Sequence, residues 1–90
     1  MRIKKGYVLQ KMADEHIAVP VGDETGRLHG VIRLNETGAF LWDLLSKNDY
    51  TEEDLVNAIT EEYLLDPDTA RRDVAVFISN IEELGCIERN

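Results

Sequence analysis

Arg27-Leu28-His29-Gly30-Val31-Ile32-Arg33-Leu34-Asn35-Glu36-Thr37-Gly38-Ala39-Phe40-Leu41-Trp42 contains a change of hydrophobic period, and that change divides the chain into a strand half and a helix half. From Arg27 to Leu34 the residues alternate in character, the period of a strand. Leu28, Ile32 and Leu34 are expected to face a core, with Arg27, His29, Val31 and Arg33 turned the other way. At Asn35, a residue suited to capping, the period becomes helical, and Thr37, Phe40, Leu41, Leu44 and Leu45 share one face. Trp42 falls roughly 130° from the centre of that face on a wheel of 3.6 residues per turn. Burial against the loop or sheet is the expectation for so large an apolar side chain, with a contact to another protein as the alternative.

Outward from this corner the punctuation is clear. Tyr7 to Met12 and His16 to Val21 are short β-rich runs joined at Ala13-Asp14-Glu15, which suits a hairpin. Gly22-Asp23-Glu24-Thr25-Gly26 is dense in turn formers and leads into the third strand, Arg27 to Leu34. Pro20 cannot donate to a ladder, so it belongs at its strand's end or at a bulge. Downstream, Ser46 to Tyr50 is a linker, and Thr51 with Asp54 resembles a capping box. Leu55, Ile59 and Tyr63 supply the apolar stripe of an otherwise acidic second helix. Asp66-Pro67 opens a third helix as cap and first-turn proline. Its stripe is Ala70, Val74, Phe77, Ile78, Ile81 and Leu84. Gly85 ends it, with Cys86 folding back on Ile81 in a Schellman closure. Three strands followed by three helices give an α+β fold, with the helices covering one face of a three-stranded antiparallel sheet. An edge of such a sheet displays unpaired N–H and C=O groups, which a protein must blunt or use.

Ninety residues, 43% of them apolar and 31% charged, suit one globular domain spanning 1–90. No apolar run approaches the roughly 18–20 residues that span a bilayer, and no signal-peptide pattern follows Met1, so a cytoplasmic location without membrane association is expected. The net charge is -8. Residues 1–50 hold seven Lys/Arg and seven Asp/Glu, whereas residues 51–84 hold two and ten. Phosphate neutralisation by Lys/Arg supplies most nucleic-acid affinity, so this distribution opposes a DNA or RNA partner. One cysteine, Cys86, with His16 and His29 distant in sequence, lacks zinc-ligand spacing. Ser46 and Ser79 have no neighbouring histidine, and the glycines form neither a P-loop nor a dinucleotide fingerprint. The sequence therefore implies no metal, no cofactor and no enzyme.

The stretch Gly30 to Trp42 followed by Leu44-Leu45 resembles the PqqD family. The likeness continues through Thr51 to Leu55, Glu62-Tyr63, Asp66 to Phe77 and Glu83-Leu84-Gly85, almost the whole length. It implies a winged helix-turn-helix-like fold that does not read DNA. Members bind the leader of a ribosomally made precursor peptide as an added strand on the third strand, in a groove walled by the third helix. They present the peptide to a modifying enzyme, commonly a radical S-adenosylmethionine protein of the pyrroloquinoline-quinone pathway or a related peptide pathway. The physics is β-augmentation, in which ladder hydrogen bonds give affinity and side-chain pockets give selectivity.

Carried onto this chain, the resemblance assigns peptide binding to His29, Gly30, Val31, Ile32 and Arg33 on the third strand. On the third helix it assigns Arg72, Asp73, Val76, Phe77 and Asn80. Angular position separates the helix residues: Ala70, Val74, Phe77, Ile81 and Leu84 point to the core, whereas Asp73, Val76 and Asn80 gather on one flank. Val76 is either a groove wall or an ordinary exposed valine. Val31 and Arg33 are placed to bracket an incoming backbone. Gly30 permits close approach or marks a bulge, and His29 is a pH-sensitive contact or a plain solvent histidine. Arg71 and Arg72 either recognise acidic leader side chains or offset Asp68 and Glu62 on the surface. Two other functions use the same architecture: a winged-helix nucleic-acid binder, which needs a basic recognition helix, and a dimeric scaffold pairing through the open edge. A monomer or weak homodimer is expected.

Overall fold

The structure, a computed structural model, describes residues 1–21 and 31–89. The expected turn at Gly22 to Gly26 and the first part of the expected third strand, Arg27 to Gly30, lie outside the described residues.

In chain order the elements are β1 (Arg2–Ile3), β2 (Tyr7–Met12), β3 (Glu15–Pro20), β4 (Ile32–Leu34), α1 (Glu36–Lys47), α2 (Glu52–Tyr63), α3 (Pro67–Glu83) and β5 (Ile87–Glu88). This is an α+β, winged helix-turn-helix-like arrangement, with a three-stranded antiparallel sheet ordered β2-β3-β4 ahead of three helices. β2 and β3 form a hairpin in continuous register from Tyr7 opposite Pro20 to Met12 opposite Glu15. The turn places Ala13 in the left-handed region, with φ 55°. Pro20 ends the central strand, where its missing N–H breaks nothing in the ladder. β4 pairs with β3, Leu34 opposite His16 and Ile32 opposite Ala18.

Two short elements were not expected. β1 and β5 pair antiparallel, Arg2 opposite Glu88 and Ile3 opposite Ile87, so the two ends of the described chain are tied together. A two-residue strand is too short to carry a period, which is why the sequence pattern does not reveal it. Gly85, at φ 75°, turns the chain out of α3, and the Cys86 N–H donates to the Ile81 carbonyl at 2.9 Å while the Gly85 N–H donates to that of Glu82. The expected Schellman closure is therefore present, and it aims β5 at β1.

The helix starts follow their side chains. Asn35 accepts the Gly38 N–H at 2.7 Å, Asp66 accepts the Thr69 N–H, and Thr51 with Asp54 completes a reciprocal capping box. The hydrogen bond from the Thr51 N–H holds the Asp54 carboxyl below its ordinary pKa.

The core gathers Ala18 from the sheet, Leu41, Trp42 and Leu45 from α1, Leu55, Val56 and Ile59 from α2, and Ala70, Val74, Phe77, Ile78 and Ile81 from α3. Two expectations about its boundaries are corrected. The inward face of α1 is Gly38, Ala39, Leu41, Trp42 and Leu45, with Phe40 and Leu44 left half-buried on the flank. Glycine and alanine carry little weight in an apolar stripe, yet they mark where neighbours come closest. Leu84 is 46% exposed rather than part of the core, because it follows the last turn of α3.

Trp42, 1% exposed, makes a T-shaped contact with Tyr7, ring centroids 5.5 Å apart and planes at 85°. This contact seats α1 on the sheet. Trp42→Ala is expected to remove about 3–5 kcal/mol of stability, read as a lower midpoint in urea denaturation; a midpoint within error of wild type would contradict the packing described.

Candidate peptide groove

Among the described residues, β4 is the last strand of its sheet, and its outer edge faces α3 across a groove of about 580 Å³. The strand side is Val31, Ile32, Arg33 and Leu34. The floor comes from α1, through Thr37, Gly38 and Leu41, with Asn35 at the corner. α3 supplies the far wall: Arg72, Asp73, Val76, Phe77, Asn80, Ile81 and Leu84.

The groove is built by residues that face two ways on one helix. Val76 is 54% exposed, whereas its neighbour Phe77 is 8% exposed and enters the core. Residues 100° apart on a helix can serve a wall and a core at once. Gly38 sets how closely these parts approach. A Cβ there would stand 2.9 Å from Asn35 Oδ1, too close for the cap of α1 to stay as it is, and 3.6 Å from Phe77 Cδ1, an ordinary contact with the α3 wall.

Charge in the groove differs from that of the chain as a whole. Arg33 and Arg72 are both exposed beside it, against the half-buried Asp73. Arg33 stands 3.9 Å from Glu15, an exposed pair that contributes little. Arg72 makes no ion pair or side-chain hydrogen bond among the described residues. Arg71, by contrast, is committed to Glu53 on α2 at 3.0 Å, rather than to Asp68 or Glu62. The two arginines therefore differ in position: Arg71 pairs with Glu53 on the surface between α2 and α3, and Arg72 borders the groove.

Val31, Ile32, Arg33, Arg72, Asp73, Val76, Phe77 and Asn80 are thus brought together, while His29 and Gly30 lie outside the described residues. The sequence pattern did not single out Leu34, Asn35, Thr37, Gly38, Leu41, Ile81 or Leu84 for this place. Gly38 beside Thr37 inside an apolar stripe was the available signal, since small residues there open space between helices. Among the described residues the groove is lined by no histidine, cysteine or serine, and no cluster of three or more His, Cys, Asp and Glu side chains in ligand geometry exists. What it displays is main-chain groups on a strand edge, apolar side chains, two cations, the Asp73 carboxylate and the Asn80 amide. None of the described helices is long and apolar enough to cross a membrane.

Fold and groove together define a small winged-helix-like protein in which β4, among the described residues, presents an open strand edge beside a helix. The family described as Coenzyme PQQ synthesis protein D (PqqD) matches residues 9–87, and the chain belongs to the PqqD family. A solved structure of TbiB1 in complex with the TbiA(beta) leader peptide is similar to it, with a TM-score of 0.74 and 27% sequence identity, covering 100% of this chain and 98% of that one. No curated protein matches the chain significantly.

The two-faced wall predicts a contrast. Val76→Glu should melt with wild type, because a glutamate on an exposed helical position costs little, whereas Phe77→Ala should lose about 3–5 kcal/mol. Thermal denaturation of both variants checks it; a Val76→Glu protein melting well below wild type would place Val76 in the core.

Proposed function

We propose that this chain is a non-catalytic adaptor that binds the leader of a ribosomally synthesised precursor peptide and presents the peptide to a modifying enzyme. The leader adds as a strand along Val31 to Leu34, between β4 and α3. The observation that carries the reading is the groove itself: a strand edge that no other strand pairs among the described residues, facing a helix wall with Val76 and Phe77 on it, in a chain of the PqqD family. Such an edge supplies backbone hydrogen bonds without regard to sequence, and the wall selects the side chains that alternate toward it.

His29, Gly30, Val31, Ile32 and Arg33 serve the strand edge. Val76 and Phe77 accept apolar side chains, Asn80 offers a side-chain amide for hydrogen bonding, and Arg72 and Asp73 set the charge at one end of the wall. Arg72 favours an acidic leader residue near the start of α3. The likeness to TbiB1, whose structure holds a leader peptide, supports the same use of the fold here. The partner enzyme in this reading is of the radical S-adenosylmethionine type, and the chain itself carries no cofactor. It acts as a single domain, a monomer or weak homodimer, in the cytoplasm.

The nucleic-acid alternative is opposed by α3, where Arg71 and Arg72 stand against Asp68, Asp73, Glu82 and Glu83. A helix read by a phosphate backbone needs the opposite balance.

Calorimetric titration with synthetic leaders from precursor genes beside the chain's own gene tests the proposal. Wild type should bind one leader per chain with a negative heat-capacity change from apolar burial. The core segment of the same precursor should give no heat. Val76→Glu should abolish the leader isotherm, since binding would bury an unpaired charge. A Val76→Glu protein that binds leader normally would put the peptide elsewhere. Dissociation of a concentration-dependent dimer, without a leader isotherm, would favour the scaffold reading.

A further inference from the structure

A second surface stands apart from the groove. At the end of α2 the backbone turns into the left-handed region at Leu64, with φ 51° and ψ 44°, and the side chain is 89% exposed. Beside it Tyr63 meets the edge of Phe40 from α1, with ring centroids 5.6 Å apart and planes at 90°, both rings partly open to solvent. Leu44 continues this apolar strip one turn along α1. The rim is acidic: Glu61 and Glu62 occupy the last turn of α2, which has no basic residue, and Glu36 opens α1 beside Tyr63. The field is felt locally, because the Tyr63 hydroxyl is pushed above its ordinary pKa by burial and then by Glu36 and Glu62.

We propose that Phe40, Tyr63 and Leu64, rimmed by Glu36, Glu61 and Glu62, form a docking surface for a partner protein that offers an apolar pocket edged with lysine or arginine. An apolar centre with a charged rim is the anatomy of a protein interface. Leu64 gains nothing by folding, since it buries almost no surface and sits where glycine or asparagine is favoured. The two glutamates face the negative end of the helix dipole, where cations are stabilising. Each choice works against the isolated domain, and each becomes favourable against a cationic partner. The occupant is thereby specified by sign, and an acidic partner or a second copy of this acidic chain is disfavoured.

Position gives the surface its use. On α1, Glu36, Phe40 and Leu44 share one side, whereas Thr37, Gly38 and Leu41 line the groove. A strand in the groove leaves the docking surface open, so both can be occupied together. Identification of the partner as the modifying enzyme rests on the adaptor reading; the surface itself does not.

Two variants separate docking from folding and from leader binding: Leu64→Asn, and Glu61→Lys with Glu62→Lys. The probe is the modifying enzyme encoded beside the chain's gene, captured on a sensor surface, with leader titration measured in parallel. Both variants should melt no lower than wild type, bind leader as wild type does, and bind the enzyme at least about tenfold more weakly. Wild-type docking should weaken as salt rises. Undiminished enzyme affinity in both variants would overturn the proposal, as would failure of the enzyme to bind wild type. Leu64→Asn melting well below wild type would also overturn it, by giving Leu64 a folding role. Loss of leader binding by wild type would instead overturn the adaptor reading, with the enzyme affinities still deciding the surface.

Discussion

One strand-to-helix corner holds the groove in shape. Leu34 closes the ladder opposite His16, and a single residue later Asn35 caps α1 by accepting the Gly38 N–H at 2.7 Å. The strand edge and the helix floor are thus fixed to each other by covalent continuity and one short hydrogen bond. Gly38 then admits Phe77 against the same corner, because no Cβ intervenes. Strand edge, floor and far wall meet within one helical turn. A side chain at position 38 would crowd the Asn35 cap, so the geometry of the corner depends on an absence of atoms as much as on contacts.

The rest of the fold keeps that corner rigid. Trp42, one turn beyond Gly38, is buried against Tyr7 of β2, which fixes α1 on the sheet. On α3 the same economy applies: Val74, Phe77 and Ile81 enter the core while Asp73, Val76 and Asn80 line the groove. The β1 and β5 pair, aided by the Lys4 N–H donating to the Cys86 carbonyl, ties the chain's two ends behind α1. In a domain this small, such ties matter because the buried core alone leaves little margin.

Much of this was legible in the sequence because local physics wrote it there. Asn35, Thr51 and Asp66 announce helix starts, Gly85 announces an end, and the change of period at Asn35 marks the corner itself. The consecutive pair Val76 and Phe77 could be assigned opposite duties from angle alone. What stayed hidden depends on packing between elements. Phe40 and Leu44 outrank Gly38 and Ala39 in hydrophobicity, yet the smaller residues are the buried ones, and helical spacing alone does not show which side of α1 its neighbours cover. Leu84 fits the stripe but falls past the last turn. Arg71 pairs with Glu53, a partner eighteen residues away that no helical spacing could indicate. The β1 and β5 strands needed the fold to bring them together.

In the function proposed above, the outer edge of β4 receives a peptide strand. Amide hydrogen exchange, measured residue by residue with and without a saturating leader peptide, tests it most directly. New protection is expected on outward-facing amides between Val31 and Leu34, with the outer edge of β2, Tyr7 to Met12, unchanged. Protection confined to β2, or to α2, would contradict it.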